Sequence, residues 1–453
     1  MIRARNTEQK RSKTPSQSRF KSAPVQVMVP RLMVIISTVF LVVVGLVMVY
    51  SASSITAMVE EGDSFGEALK QLIFVGAGLV GCAAAIYFFK DRDRALFVTA
   101  IFWVICFLGV IATAFVGTAA LGAKRWILIG GMSIQFSEFM KIAIVLMTAR
   151  VASEYQDGLF TPGQAALRVA IFALLPMGLV FILQSDMGTT IITFVAVLVV
   201  IYQAGFPRSF ILTILAVALV VAFASIIGKS YRADRLATFM DPWSDAQGTG
   251  YQLIHSYKAL AAGGLLGLGV GNSYEKLLYL PEAETDFIFA IVGEEMGLIG
   301  TAAVIIAFLL FLYGSFKIAE GAQSSFHGIA VAALAVMVVF QAFLNISCVV
   351  GLVPTTGKPL PFISSGGSSM MSSLIIVGLI MAVSLSQDTE EEPRQRRENL
   401  RVVSSFNASP ASSGQRNGAR RDMVASGSPR NSSPMREGAS YGRSNRPART
   451  MRR

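Results

Sequence analysis

The residues able to do chemistry gather in a few short stretches. Asp286 closes the run Pro281-Glu282-Ala283-Glu284-Thr285-Asp286, directly before a long apolar segment. Helical steps of four, seven, eleven and fourteen from it reach Ala290, Gly293, Gly297 and Gly300, one face on which every residue is small. Such a face admits a neighbouring helix or a ligand close to the backbone. The spacing therefore places Asp286 at the head of a narrow groove, with Thr285 as helix N-cap. The dipole of that helix start favours an ionised carboxylate by ~0.3–1 kcal/mol when exposed, and an ionised carboxylate is a general base. The plainer alternative is that Thr285-Asp286 is only a helix cap. Glu295 falls on the opposite face and Glu294 about 80° round; either serves as a structural partner for a buried cation.

Cations from three separate loops say what the groove holds. Lys124, Arg125, Arg232, Arg235 and Lys358 are fixed donors that suit phosphate or pyrophosphate, with lipid headgroup contact as the alternative. Trp126 follows Arg125, and Glu138, Lys141, Gln184, Asp186, Ser364 and Ser365 complete the polar set. Polar groups at a membrane are costly and mark function. The glycine-rich run Gly263–Gly271 resembles a phosphate loop superficially, but no strand precedes it. We read it as a re-entrant segment that bends and packs closely. His255 and His327 are the two histidines, too few for a zinc triad, and Cys82, Cys106 and Cys348 have no useful spacing. A divalent cation (Mg or Mn) near Glu282, Glu284 and a bound pyrophosphate is chemically reasonable, but no cofactor is certain from sequence.

The elements that must position these residues follow from composition. Of 453 residues, 53% are hydrophobic and 15% charged, too apolar for a soluble enzyme; mean hydropathy is +0.58. The formal charge of +11 is uneven: residues 1–31 and 388–453 together carry +14, leaving −3 in the middle. Basic tails around an apolar middle exclude a globular nucleic-acid binder and indicate a polytopic all-α membrane protein. Ten segments approach the ~20 residues a spanning helix needs: 32–52, 71–89, 95–116, 138–153, 167–183, 189–206, 209–228, 286–315, 326–350 and 368–387. Both basic tails are expected in the cytoplasm, which requires an even number of spans and puts the loops 117–137, 229–285 and 351–367 outside. The first span is read as uncleaved. Residues 1–31 form a basic cytoplasmic tail and 388–453 a disordered one that favours anionic lipid, with a nucleic-acid or protein partner as the alternative.

As a set, these motifs are familiar. The chain resembles the SEDS family (shape, elongation, division, sporulation) of membrane glycosyltransferases over about residues 32–387. The resemblance rests on Gly122–Ile127; Gln135–Glu138 with Lys141; Gln184–Thr189; Asp241-Pro242-Trp243; Gly248–Gln252; Pro281–Phe287; and Pro354–Ser369. The Asp-Pro-Trp and Pro-Thr-Thr-Gly runs look more like the division branch than the elongation branch. Phe136 and Ser185 replace usual prolines, Glu284 a common His, and Ser365 a frequent Tyr. The resemblance implies polymerisation of lipid II into β-1,4 glycan on the outer membrane face, with Asp286 as the essential carboxylate. It also implies a class B penicillin-binding protein, a transpeptidase, as partner. Two other classes fit in part. A flippase for lipid-linked precursors would be expected to show polar residues on both faces and inverted repeats, whereas here they are one-sided. A non-catalytic scaffold predicts that Asp286 is dispensable.

Overall fold

A computed structural model describes residues 25–60, 65–120, 123–130, 132–227 and 230–406. Most of the 1–31 tail and residues 407–453 lie outside the described residues. Each of the ten apolar segments coincides with helix. The first three are α1 (Val25–Glu60), α2 (Gly66–Phe89) and α3 (Arg92–Val116), the last capped by Asp91, whose side chain accepts from the Asp93 and Arg94 backbone N–H groups. Next comes a feature that apolar-segment reading misses. The outer loop 117–137 makes a small antiparallel sheet, β1 (Thr118–Ala120), β2 (Ala123–Ile129) and β3 (Met132–Ile134), in the order β1-β2-β3.

Helix α4 (Phe136–Gln156) follows, interrupted chemically by Glu138, Lys141 and Arg150. The fifth span is composite: α5 (Pro162–Val169), a π-helical turn at Ala170–Leu174, then α6 (Leu175–Leu183). Pro176 supplies no N–H to its i−4 carbonyl, that of Phe172. Trp103 Nε1 donates to that carbonyl at 3.0 Å, so the freed acceptor stays satisfied inside the membrane. The remaining helices are α7 (Met187–Gln203), α8 (Arg208–Ile227), α9 (Ser230–Met240), α10 (Tyr251–Gly263), α11 (Ile288–Glu320), α12 (Ser325–Val349) and α13 (Gly367–Phe406). Among the described residues, seven helices have the length and apolarity to cross a membrane, and Met187–Gln203 and Arg208–Ala224 are shorter apolar helices. The chain is a multi-pass membrane protein.

Helix α12 is central, packing on α4, α7 and α11; its span is 78% buried, against 17% for the peripheral α2. The division of the chain into two units falls after Arg396. Helix α13 continues to Phe406, so the described start of the supposed disordered tail is helical. Its Glu, Gln and Arg are good helix formers, which composition-based reading of the whole tail overlooks.

The small-residue face of α11 also differs from expectation. The helix begins at Ile288, two residues later than the spacing implies, with Phe287 as an N-cap that makes no side-chain bond. Its backbone breaks at Gly297 (φ 64°, ψ −164°). The glycine-rich segment fills the face: Leu268 and Gly269 N–H groups donate to the Glu294 and Glu295 carbonyls at 2.9 and 3.0 Å, and Leu298 N–H to Gly264 O at 3.0 Å. A Cβ on Gly267 would lie 2.2 Å from Glu295 O. The face is thus a seat for the chain's own bend and not a ligand groove. Nearby, Glu295 pairs with Lys276 at 2.8 Å, and Ser51 Oγ donates to the same carboxylate at 2.6 Å. The buried-cation partner anticipated for Glu294 or Glu295 is therefore Lys276, on Glu295.

Candidate active site

Helices α3 and α12 finish, and α7, α11 and α13 start, at one end of the bundle, and the site is built there. Strand β2 alternates its side chains, so neighbours in sequence part company. Lys124 is exposed, with Nζ 3.4 Å from Phe115 O. Arg125 turns inward, its Nε and Nη2 donating to the Gln184 and Ser185 carbonyls at 2.8 and 3.1 Å. Trp126 is half-buried and pairs across the hairpin with Thr118. Gln184 is itself buried and donates to Thr113 Oγ1 at 2.8 Å. Ser185 takes a left-handed backbone (φ 49°), a conformation a proline there would forbid.

Asp186 caps α7, accepting from Thr189 N–H at 3.0 Å. Its Oδ2 also receives Lys358 Nζ at 2.7 Å, Thr189 Oγ1 at 2.9 Å and Gln135 Nε2 at 3.2 Å. Burial opposes the charge on Asp186, but the Lys358 ammonium, these hydrogen bonds and Arg125 outweigh it and hold the carboxyl below its ordinary value. Lys358 is thus committed to the protein interior. Deeper in the bundle, Lys141 Nζ pairs with Glu138 at 2.6 Å and reaches Gln341 Oε1 at 2.7 Å, and Gln341 Nε2 donates to Pro359 O at 2.9 Å. Glu138 and Lys141 thus support the Lys358 loop from below and stand back from the surface.

Asp286 occupies the turn before α11, half-buried. Gly357, at φ 67°, faces it; a Cβ there would sit 3.3 Å from Asp286 Oδ2 and 3.9 Å from Arg235 Nη1, so the turn brings both groups to one spot. Arg235 Nη1 donates to Thr355 O at 2.8 Å. Burial first, and the Glu282 charge second, raise the Asp286 carboxyl to about 6, against the pull of Lys358, Arg235 and Arg125. At pH 7 such a group is roughly nine-tenths ionised, and its basicity is higher than that of a free carboxylate. The dipole argument for a stronger acid is therefore reversed, because Asp286 is off the helix and desolvated.

The Asp286 turn is clamped. Ser364 Oγ donates to Thr285 O at 2.6 Å and Ser365 N–H to Glu284 O at 2.8 Å. From the other side Asn345 Nδ2 donates to Asp286 O at 2.7 Å. Arg232 lies on α9, and its side chain is outside the described residues. Asn345 and Gln341 were missed from sequence; a Gln and an Asn four residues apart in an apolar span were the available signal. Among the described residues, no three His, Cys, Asp or Glu side chains group as a metal site. Glu282 Oε2 receives the Thr285 hydroxyl at 2.6 Å. His255 pairs with Glu275, and His327 Nε2 lies 3.1 Å from Phe89 O.

Residues 31–389 match the family model described as cell cycle protein, which carries the names FtsW, RodA and SpoVE. The chain belongs to this family. Among its relatives, Stage V sporulation protein E of Bacillus subtilis (strain 168) is 36% identical over 359 residues, 78% of this chain and 97% of the relative. A probable peptidoglycan glycosyltransferase FtsW of Geobacter sp. (strain M18) is 36% identical over 363 residues, 78% and 96% of the two chains. The fold matches a chain in the structure of a peptidoglycan synthase complex with a TM-score of 0.61, at 24% identity, covering 78% and 97%. It also matches the Rod shape determining protein RodA of Thermus thermophilus, with a TM-score of 0.55 at 21% identity, covering 78% and 96%. In FtsW/RodA/SpoVE terms, the clamped Asp286 turn and the Asp186–Lys358 pair lie wholly within the matched region.

Proposed function

We propose that this chain is a peptidoglycan glycosyltransferase that polymerises lipid II into β-1,4 glycan at the outer face of the bacterial plasma membrane during septal wall synthesis. Membership of the cell cycle family, with relatives named as peptidoglycan glycosyltransferases, supports the activity. The observation that carries the mechanism is Asp286, a half-buried carboxylate with a raised pKa of about 6, set beside Arg235.

Asp286 takes the proton from the acceptor sugar 4-hydroxyl as that oxygen attacks the donor's anomeric carbon. The new C–O bond forms as the bond to pyrophosphate breaks, and undecaprenyl pyrophosphate leaves with the electron pair. Attack from the opposite side inverts the α-linked donor to a β linkage. A base of pKa near the working pH combines ionisation with proton affinity. Arg125 donates to the Gln184 and Ser185 carbonyls and Arg235 to that of Thr355; held near Asp286 in this way, the two guanidinium groups suit the departing pyrophosphate. Lys124 contributes from the exposed hairpin edge. Trp126 shapes the entrance, and Ser364 and Ser365 hold the Asp286 turn in place.

In this reading both tails are cytoplasmic, and a class B penicillin-binding protein cross-links the product. The test is polymerisation of labelled lipid II by purified protein, with and without the cognate transpeptidase. Glycan from wild type but not from Asp286→Ala is the expected result. Lipid II flipping without polymerisation would favour the transporter, and full activity of Asp286→Ala the scaffold.

A further inference from the structure

We propose that Asn345 is a positioning residue that sets Asp286 and Lys358 in fixed register through one side-chain amide. The inference rests on the glycosyltransferase reading above. Asn345 lies on the last turns of α12, the central helix of the bundle, and is 2% exposed. Its Nδ2 donates to the backbone carbonyl of Asp286 at 2.7 Å and to that of Lys358 at 2.8 Å. These two residues are 72 positions apart in sequence and belong to different loops. A single NH2 group thus spends both of its hydrogens on the carboxylate proposed to act as base and on the lysine that anchors the loop facing it.

The orientation of the amide is forced, because both neighbours are carbonyl acceptors and only the nitrogen can donate. The consequence is that Asn345 Oδ1 is buried without a hydrogen-bond partner among the described residues. A group kept solely for stability is poorly served by burying an orphan oxygen; the arrangement makes sense when the two donated bonds are what matters. One other contact runs parallel to it: Ser364 Oγ accepts from Leu360 N–H at 2.7 Å and donates to Thr285 O at 2.6 Å, tying neighbours of Lys358 and Asp286 but not those two residues themselves. Ser364 and Ser365 hold Thr285 and Glu284 to the start of α13, whereas Asn345 is the bond from a rigid spanning helix to Asp286 itself. Loss of the amide removes the bonds to the Asp286 and Lys358 carbonyls themselves and leaves their register to the neighbouring Ser364 and Ser365 contacts. Geometry of this kind governs turnover more than substrate affinity, since small displacements of a catalytic group reduce the rate while contacts to the remote lipid and sugar are kept.

The decisive substitution is Asn345→Asp, which keeps size and shape but puts acceptors against two carbonyls. Full-length protein, purified with its cognate transpeptidase, is assayed for kcat and KM with labelled lipid II across pH 5–9, alongside thermal unfolding. The expected result is a kcat at least about tenfold lower, a KM within about twofold of wild type, and an acid limb of the pH profile displaced from that of wild type. Asn345→Ala, which removes the donors without adding acceptors, should show the same split to a smaller extent, and it carries the test if Asn345→Asp does not fold. Wild-type kcat per folded molecule in either folded variant would overturn the inference, as would a change confined to KM. An active wild type with unaffected Asn345 variants defeats this inference alone. A wild type that makes no glycan with its partner present defeats the glycosyltransferase reading and this inference with it.

Discussion

Lys358 Nζ lies 2.7 Å from Asp186 Oδ2, and the two side chains are 5% and 2% exposed. The pair joins the loop after α12 to the N-cap of α7, so it fixes the wall of the site facing Asp286. Breaking a buried pair leaves an uncompensated charge and typically costs about 3–5 kcal/mol, while replacing both partners with neutral groups costs much less. Lys358→Met should therefore lower the thermal midpoint strongly. Asp186→Asn combined with Lys358→Met should recover most of that loss, since Asn preserves the cap. The Asp186 carboxyl is held below its ordinary value. Its stabilisation is thus present above the ordinary carboxylate range and fades as pH falls through the lowered folded-state value. A double variant no more stable than Lys358→Met would remove the pair from this role.

Removing the Asp286 carboxylate separates activity from stability. Loss of a general base costs about 10²–10⁴ in rate. The folded-state pKa of Asp286 is raised to about 6, burial being the main cause. Ionising it above that pH therefore works against folding, and the native state gains stability only as pH falls through 6 and the proton binds. Asp286→Asn should lose nearly all glycan synthesis and unfold at the wild-type temperature or above it at pH 7.5. Parallel loss of fold and activity would mean that the residue is structural.

The same shift predicts a pH profile. The unprotonated base requires kcat/KM to fall about tenfold per unit below pH 6. Glu282 raises the Asp286 pKa and Arg235 lowers it. Glu282→Gln should then move the acid limb to lower pH, and Arg235→Ala to higher pH with a reduced plateau. Profiles of purified enzyme in a pH series decide this. Limbs that coincide in all three proteins would assign the titration to another group.

These relationships were legible in unequal measure. The spans stood out because a bilayer demands long runs with internally satisfied backbone, and each of the ten runs coincides with helix, whereas α9 and α10 fall in the expected loop 229–285. Asp286, Arg125 and Arg235 stood out as charges beside apolar segments. Partnerships did not. Lys276 reaches Glu295 and Ser51 across the bundle, and Lys358 reaches Asp186 across 172 positions; no local pattern encodes such distances. Lys124 and Arg125 read as equivalent until β2 turned one out and one in. The glycines of α11 read as a ligand groove, because spacing reveals that a face is small without revealing what covers it.

That covering gives a sharp test of the bend beside the site. Gly297 and Gly267 hold φ of 64° and 81°, and each would direct a Cβ into the other segment's backbone, 2.4 Å from Gly267 N and 2.2 Å from Glu295 O respectively. Backbone strain and overpacking act together here, each on the order of 1–3 kcal/mol. Gly297→Ala or Gly267→Ala should therefore lower the thermal midpoint markedly and expose the 263–271 segment to protease. Gly178, on α6, has nothing within 4 Å of its Cβ position, and alanine outranks glycine in helices by about 1 kcal/mol. Gly178→Ala should leave the midpoint unchanged or raise it slightly. The contrast matters because all three substitutions add the same single methyl group. If Gly267→Ala behaves like Gly178→Ala in thermal unfolding and limited proteolysis, the glycine-rich bend does not seat on the broken helix.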